Sequence, residues 1–258
     1  MKIQLLPSSF ESDGAASQRQ HLSCIIVDDT VAFDAGSLAL ACSDDQRKTI
    51  RDVVISHVHL DHIAGLPFFI DDLYSTLSEP IRVHSTAEMI TALERDIFNW
   101  TIYPRFSELS NSNGPVLEYK AFEAGREFRA AHLKIMPIAV NHGVQSFGFV
   151  VSDGDKSLGI TGDTAHTGEI WTQFSRIDDL SAVLVECAFP DELGELAEKS
   201  HHMTPMLLGR ELRQFTKIGV PVYVVNIKPI YREQVVDQIG KLGIAALSVL
   251  HVGKVYEF

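Results

Sequence analysis

Residues 57–62 read His-Val-His-Leu-Asp-His, which places four potential metal ligands within six residues. Imidazole nitrogens and carboxylate oxygens are the donors that divalent zinc, manganese and iron accept in proteins. The segment follows an apolar run at residues 53–55 and precedes a helix-like stretch. We therefore expect a strand-to-helix loop that aims these side chains at a metal centre, rather than a loop that is rich in histidine by chance.

Four ligands so close together cannot all reach one tetrahedral ion without strain. The motif therefore predicts a centre with two metal ions. We expect His57 and His59 to bind the first ion, and Asp61 and His62 to bind the second.

Two further ligand candidates follow strand-like runs elsewhere in the chain, His142 after residues 133–140 and Asp163 after residues 158–161. A carboxylate can bridge two cations, so Asp163 is expected to bind both ions and His142 the first. Taken alone, residues of these types are more often structural, His142 as a hydrogen-bonded turn residue and Asp163 as a helix N-cap. For Asp34, the residues leave two interpretations open, an acceptor for a ligand imidazole or a cap for the following helix.

Strand-like runs alternate with helix-like stretches, which is typical of sheets covered by helices. A polar stretch at residues 107–115 predicts a surface loop near the active-site rim. We expect one α/β domain over residues 1–258. The strand-like runs lie at residues 22–27, 31–33, 52–55, 81–83, 133–140, 146–151, 158–161, 182–185 and 222–225, and the helix-like stretches at about 66–77, 87–98, 167–174, 205–217 and 232–241.

The chain has 22 Lys and Arg residues against 34 Asp and Glu residues, a formal net charge of −12. This acidity disfavours long nucleic acid as a partner, although bound cations would still attract a small phosphate ester. No run approaches the roughly 18 to 20 apolar residues of a membrane span, and the N-terminus does not resemble a secretory signal. The three cysteines form no C-x-x-C pair, so we expect a cytoplasmic protein without disulfides or membrane association.

Four more segments, together with the metal motif, resemble the class II cyclic-nucleotide phosphodiesterases. This family is a branch of the metallo-β-lactamase superfamily and is related to the tRNA 3′-processing endonucleases. The likeness extends over about residues 30–230. The segments are residues 96–104 (Asp-Ile-Phe-Asn-Trp-Thr-Ile-Tyr-Pro), 185–190 (Val-Glu-Cys-Ala-Phe-Pro), 202–205 (His-Met-Thr-Pro) and 226–229 (Asn-Ile-Lys-Pro).

The resemblance implies a four-layer αββα sandwich of the metallo-β-lactamase type. It also implies a hydrolase that converts 3′,5′-cyclic nucleotides, cAMP or cGMP, to nucleoside 5′-monophosphates with a metal-bridging hydroxide. Two divalent ions are implied as cofactors. Zinc is the first expectation, and manganese, iron or magnesium is left open at the second site.

The chain departs from this family at Asn226, where the family pattern has a histidine before Ile-Lys-Pro. An amide oxygen is a weaker ligand for zinc than an imidazole, so a second ion bound by Asn226 is expected to be held weakly. The resemblance also makes His202 the expected proton donor to the leaving ribose 3′-oxygen, with a ligand role left open. Asp61 is expected to orient the nucleophile, and His251 is a reserve candidate for a missing ligand.

Three functions stay open from the sequence. The first is a cyclic-nucleotide phosphodiesterase. The second is another hydrolase of the superfamily, acting on a thioester, a lactone or a different phosphodiester. The third, suggested by Asn226, is a non-catalytic metal-binding relative. The expected partner is a small-molecule phosphodiester, with no long nucleic acid and no membrane, and a homo-oligomer is left open.

Overall fold

The computed structural model describes residues 1–258 and contains sixteen strands. They are β1 (Lys2–Leu5), β2 (Ile25–Val27), β3 (Val31–Phe33), β4 (Asp52–Val54), β5 (Ile81–Ser85), β6 (Ser110–Asn111), β7 (Gly114–Pro115), β8 (Leu117–Ala121), β9 (Phe128–Ala130), β10 (Leu133–Ala139), β11 (Phe147–Ser152), β12 (Ser157–Ile160), β13 (Leu180–Glu186), β14 (Val222–Val225), β15 (Leu247–Val249) and β16 (Val255–Glu257).

These strands form two seven-stranded sheets and one two-stranded ribbon, β6–β7. The first sheet has the order β16-β1-β2-β3-β4-β5-β8, and the second has the order β15-β14-β13-β12-β11-β10-β9. Strands β3, β4, β5 and β8 are parallel neighbours, as are β12, β13, β14 and β15. Both sheets are therefore mixed, with a parallel half and an antiparallel half.

Nine α-helices cover the sheets, and several begin with a side-chain cap. Ser43 and Gln46 form a reciprocal capping box at one helix, and Thr86 caps another. The helices are α1 (Leu38–Ala41), α2 (Asp44–Thr49), α3 (Leu60–Ile63), α4 (Leu66–Leu73), α5 (Ala87–Asp96), α6 (Gly168–Arg176), α7 (Gly194–Lys199), α8 (Pro205–Glu211) and α9 (Arg232–Lys241). None of them combines the length and the apolar character that crossing a bilayer requires.

The core has three apolar layers, as the alternation of side chains across each strand requires. Between the sheets, Phe33 and Val54 of the first meet Phe149 and Leu184 of the second. The outer face of the first sheet packs on α1, α4 and α5, and that of the second packs on α6, α8 and α9. This four-layer αββα sandwich confirms the fold class predicted from the sequence.

The parallel halves of the sheets determine where the candidate ligands lie. Asp34 follows β3, residues 57–62 follow β4, Asp163 follows β12 and Asn226 follows β14. His142 follows β10, which runs in the same direction as β12 because each is antiparallel to β11. The carboxyl ends of parallel strands meet at one edge of a sheet, so these residues gather at one edge of the sandwich.

The polar stretch at residues 107–115 is more ordered than the predicted surface loop. Phe106–Glu108 form a 3₁₀ turn, and the β6–β7 ribbon follows it. The side-chain amide of Asn111 donates to the carbonyls of Tyr74 and Leu77, which fixes the ribbon beside the end of α4.

Candidate metal centre

The loop at residues 57–62 is held in place by the carboxylate of Asp34, which follows the neighbouring strand β3. Asp34, with a left-handed φ of +60°, accepts hydrogen bonds from the backbone N–H of Ser56 at 2.8 Å and from the Ser56 hydroxyl at 2.9 Å. Its Oδ2 atom also lies 2.7 Å from Nδ1 of His62. Of the two interpretations of Asp34, the contact with an imidazole is the one observed, and the role of His62 as a ligand stays a prediction. The N-cap of α1 is Ser37.

Three imidazoles converge beside this loop. Nδ1 of His59 lies 3.1 Å from Nε2 of His57 and 3.1 Å from Nε2 of His142. Nitrogens that share a tetrahedral zinc ion, each about 2.0 Å from it, are separated by roughly 3.3 Å. The three ring nitrogens therefore have the spacing that one divalent cation requires.

The electrostatics keep these imidazoles in the ligand form. Burial first, and the charge of His62 second, lower the pKa of His57 to about 2. Burial also lowers the pKa of His59 and His142. A neutral imidazole has a free lone pair for a metal ion, so all three are available as ligands near neutral pH.

Asp163 supplies the carboxylate of the centre and is 3 % exposed. It follows Gly162, where φ is +62° and a Cβ would lie 2.7 Å from the Phe147 carbonyl oxygen, so only glycine fits this turn. Burial alone would raise the pKa of Asp163, but His62, at 3.2 Å, holds it well below its usual range. Asp163 is therefore ionised.

His62 lies between two carboxylates, Asp34 on Nδ1 and Asp163 on Nε2. Burial alone would lower the pKa of His62, but these two carboxylates together raise it well above its ordinary value. A metal ion bound at Asp163 would compete with the proton on Nε2, because a ligating histidine must be neutral.

Clustered donors form three overlapping groups, each with its ligand atoms within 4.8 Å of one another. Three neutral imidazoles with an adjacent carboxylate suit zinc or a similar divalent ion, so these residues fit such a cofactor. The groups are His57, His59 and His142; His57, His62 and Asp163; and His142, Asp163 and His202.

Of the other predicted ligands, Asp61 belongs to none of these groups, and Asn226 is an amide rather than one of the imidazole and carboxylate donors that form them. The Asp61 Oδ2 atom lies 3.3 Å from Nζ of Lys228. The Asn226 side chain donates from Nδ2 to Asp163 at 2.7 Å. Both predicted ligands line a cavity of about 180 Å³ that Asp163 also lines, and their role as ligands stays a prediction. His251, the reserve candidate, is exposed and also lies outside the groups.

His202 reaches the centre from the start of α8. Thr204 caps this helix by accepting from the Leu207 N–H, and Pro205 occupies its first turn. Nδ1 of His202 lies 2.9 Å from Oε1 of Glu186, which leaves Nε2 of the ring free. Burial lowers the pKa of His202, but the hydrogen bond and charge of Glu186 outweigh it and raise the pKa overall.

Glu186 is the site residue that sequence reasoning missed. It ends β13, is fully buried, and also accepts from the backbone N–H groups of Thr164 and Ala188. The signal in the sequence was a carboxylate closing an apolar strand, Val-Leu-Val-Glu, because a buried charge requires partners. Its partner His202 lies sixteen residues further along the chain.

The family model described as the beta-lactamase superfamily domain matches residues 27–225 of this chain. The match spans both halves of the sandwich and includes the clustered ligands. The chain therefore belongs to the beta-lactamase superfamily.

Two curated relatives are similar to the chain at low identity. One, named a probable 3′,5′-cyclic-nucleotide phosphodiesterase, is from Yersinia pestis and is 23% identical over 72% of this chain and 60% of its own length. The other, named a 3′,5′-cyclic-nucleotide phosphodiesterase, is from Schizosaccharomyces pombe and is 25% identical over 55% of this chain and 45% of its own. The chain thus matches only about half of each relative's length.

Solved structures with the same fold cover almost the whole chain. Unliganded yeast PDE1 has a TM-score of 0.77 at 16% identity, with 98% of both chains covered. The metallo-beta-lactamase fold protein YhfI from Bacillus subtilis has a TM-score of 0.75 at 14% identity, with 99% of both covered. Human tRNase Z, short form, has a TM-score of 0.68 at 14% identity and covers 100% of this chain and 99% of its own. These similarities confirm the predicted fold.

Proposed function

We propose that this chain is a metal-dependent phosphodiesterase that hydrolyses 3′,5′-cyclic nucleotides to nucleoside 5′-monophosphates. The observation that carries the proposal is that candidate metal ligands and a candidate proton donor lie side by side in one site. Converged imidazoles with Asp163 suit a divalent ion, and the adjacent His202, held by buried Glu186, suits a proton donor. The names of both curated relatives support this choice of substrate.

A divalent cation bound at the clustered ligands would activate water and offset negative charge on the phosphate oxygens. Hydrolysis breaks the bond between phosphorus and the ribose 3′-oxygen and forms one between phosphorus and the water oxygen. The departing 3′-oxygen takes up a proton, which His202 supplies from Nε2. The proton that the water loses passes to solvent, and His202 takes one up from solvent before the next turnover. The hydrogen bond between Nδ1 and Glu186 orients the ring for this role.

The acidic balance of the chain supports a small substrate rather than a long nucleic acid. At a net charge of −12, the surface repels a polyanion. Lys228 is the one lysine or arginine that lines the cavity beside Asp163. Its single positive charge matches the single negative charge of a phosphate diester. The free cysteines Cys24, Cys42 and Cys187 support a cytoplasmic location.

A substrate panel tests the proposal. Purified protein with added zinc or manganese is given cAMP, cGMP, a thioester, a lactone and a generic phosphodiester dye, and the products are separated chromatographically. We expect nucleoside 5′-monophosphates, formed with a higher kcat/KM than any thioester or lactone product. Faster turnover of a thioester or lactone would reject the proposal in favour of another superfamily hydrolase, and no turnover at all would favour a non-catalytic relative.

A pair of neighbouring histidines tests the proton donor. His202→Ala should lower kcat for cAMP by roughly 10²- to 10⁴-fold, the usual contribution of a positioned acid. His201→Ala is the matched control, because its ring bonds only Asn141 and belongs to none of the donor groups. Equal activity of the two variants would remove His202 from the mechanism.

A further inference from the structure

The side chains predicted to form the second metal position are Asp61, His62, Asp163 and Asn226. Two of them, Asp61 and Asn226, bond other side chains instead. Asp61 pairs with Lys228 at 3.3 Å. Asn226 lies 2.7 Å from Asp163 and must present its NH₂ group there, since an amide oxygen facing a carboxylate oxygen would be repelled. An amide NH₂ has no lone pair to give a metal ion. These residues therefore do not fit a second tightly bound divalent cation.

The Lys228 ammonium group already places a positive charge where a second metal ion would supply one. Asp61 and Asp163 carry two negative charges next to the cavity of about 180 Å³, and Lys228 lines that cavity with them. The side chains of Lys228 and Asp61 are 37% and 34% exposed, so the pair borders open space rather than the packed core. An ammonium group has three donors, and the bond to Asp61 leaves others to face the cavity.

The backbone brings Lys228 to this place. Asn226 has a left-handed φ of +55°, which asparagine tolerates, and the Lys228 N–H donates to the Ala188 carbonyl at 3.1 Å. The turn after β14 is thereby fixed against the loop that follows Glu186. Lys228 is held by this turn at the mouth of the site.

We propose that the Lys228 ammonium group takes the place of the second metal ion, so that each chain binds one divalent cation tightly instead of two. Lys228 then positions and neutralises Asp61 and offers a fixed positive charge to the phosphate of a bound diester. The role toward phosphate rests on the proposed function, whereas the metal count does not. Metal counting therefore remains informative even for a protein that acts on another substrate.

The metal content of purified protein, loaded with excess zinc and freed of unbound ion by gel filtration, tests the proposal. The wild-type chain should retain one equivalent. Asn226→His with Lys228→Met in the same chain restores an imidazole and removes the ammonium group, and this double variant should retain two. Lys241→Met, which breaks an exposed lysine–aspartate pair on α9, is the matched control and should retain one.

Titration with cobalt, read from its visible absorption, gives a second count that does not depend on activity. We expect the absorption to saturate at one equivalent in the wild type and at two in the double variant, while thermal unfolding verifies that both are folded. Two equivalents of similar affinity in the wild type would overturn the proposal, as would a folded double variant that still binds only one.

Discussion

Glu186 and Glu211 are both buried glutamates that bond a histidine, but only Glu186 lies at the candidate metal centre. Glu186 holds His202 beside Asp163, whereas Glu211 holds His166, which belongs to none of the donor groups. Glu186→Gln should lower kcat for cAMP by at least about tenfold, because the ring loses the charge that orients and protonates it. Glu211→Gln should leave kcat unchanged but lower thermal stability. Equal kcat values would contradict this assignment.

The Asp34 carboxylate offers a test that needs no substrate. Asp34→Asn should weaken zinc binding by roughly 10- to 100-fold, the usual effect of removing an acceptor that orients a ligand histidine. A chelator competition assay measures this. Asp28, whose carboxylate also bonds a histidine, His132, is the control, since that pair is partly exposed and belongs to none of the donor groups. The same affinity in Asp34→Asn and Asp28→Asn would show that Asp34 only maintains the fold.

The sequence predicted which residues cluster because metal binding requires particular donor types, and histidine and aspartate can be recognised directly in the sequence. The motif at residues 57–62, together with His142 and Asp163, gave most of the cluster. The partner of Asp61 was not predictable, since Lys228 lies 167 residues away and only the packing of two loops brings them together. The same holds for Glu186, whose spacing from His202 matches no motif.

Two glycines, Gly36 and Gly65, allow the loop at residues 57–62 and the loop that follows β3 to pack closely. A Cβ on Gly36 would lie 2.0 Å from the Asp61 carbonyl oxygen, and one on Gly65 would lie 2.5 Å from the Ala35 carbonyl oxygen. The backbone also links these loops directly, because Ala35 N–H donates to the His62 carbonyl at 2.7 Å. The ligand loop is thus held by backbone contacts as well as by Asp34.

Gly36→Ala should therefore displace the ligand loop. We expect it to cost roughly 1 to 3 kcal/mol of unfolding free energy, as overpacking does, and to weaken zinc binding in the same variant. Gly194→Ala is the control, since nothing lies within 4 Å of its added Cβ. Urea unfolding and zinc titration measure the two effects, and a Gly36→Ala protein with wild-type zinc affinity would refute the coupling.

Buried strands were predictable and edge strands were not. β13 and β14 are almost wholly buried and read as continuous apolar runs. β8, β15 and β16 are edge strands. Their exposed positions carry polar residues that interrupt any apolar run. Helices predicted at 66–77 and 205–217 end earlier, at Leu73 and Glu211. Boundaries depend on local caps and packing more than on periodicity.

The acid stability of the fold depends in part on a buried carboxylate, Asp52, that belongs to none of the donor groups. Asp52 on β4 is 2% exposed and accepts from Arg82 at 2.7 Å and from His84 at 2.7 Å, both on β5. Burial alone would raise the pKa of Asp52, but Arg82 and His84 lower it to about 2. A carboxylate whose pKa is lower in the folded than in the unfolded chain stabilises the fold at pH values above its unfolded pKa, near 3.8. This stabilisation is lost as the pH falls through about 2.

Asp52→Asn should accordingly reduce the free energy of unfolding by roughly 2 kcal/mol at pH 7, because bonds to a charged acceptor are lost. The difference from the wild type should shrink as the pH is lowered from about 4 toward 2, as urea unfolding at several pH values would measure. Glu79 also pairs with Arg82 but is exposed, so Glu79→Gln should change the free energy by less than about 1 kcal/mol. Equal effects of the two variants would contradict the role of burial.

The rate of cAMP hydrolysis as a function of zinc or manganese added to metal-free protein tests the central claim most directly. If the clustered histidines and Asp163 form a metallohydrolase centre for cyclic nucleotides, metal-free protein is inactive and 5′-AMP forms at a rate that rises with added ion to a plateau. A His142→Ala variant should require far more ion to reach its plateau. A rate that is independent of added ion and of chelator, or the absence of 5′-AMP at every metal concentration, would contradict the claim.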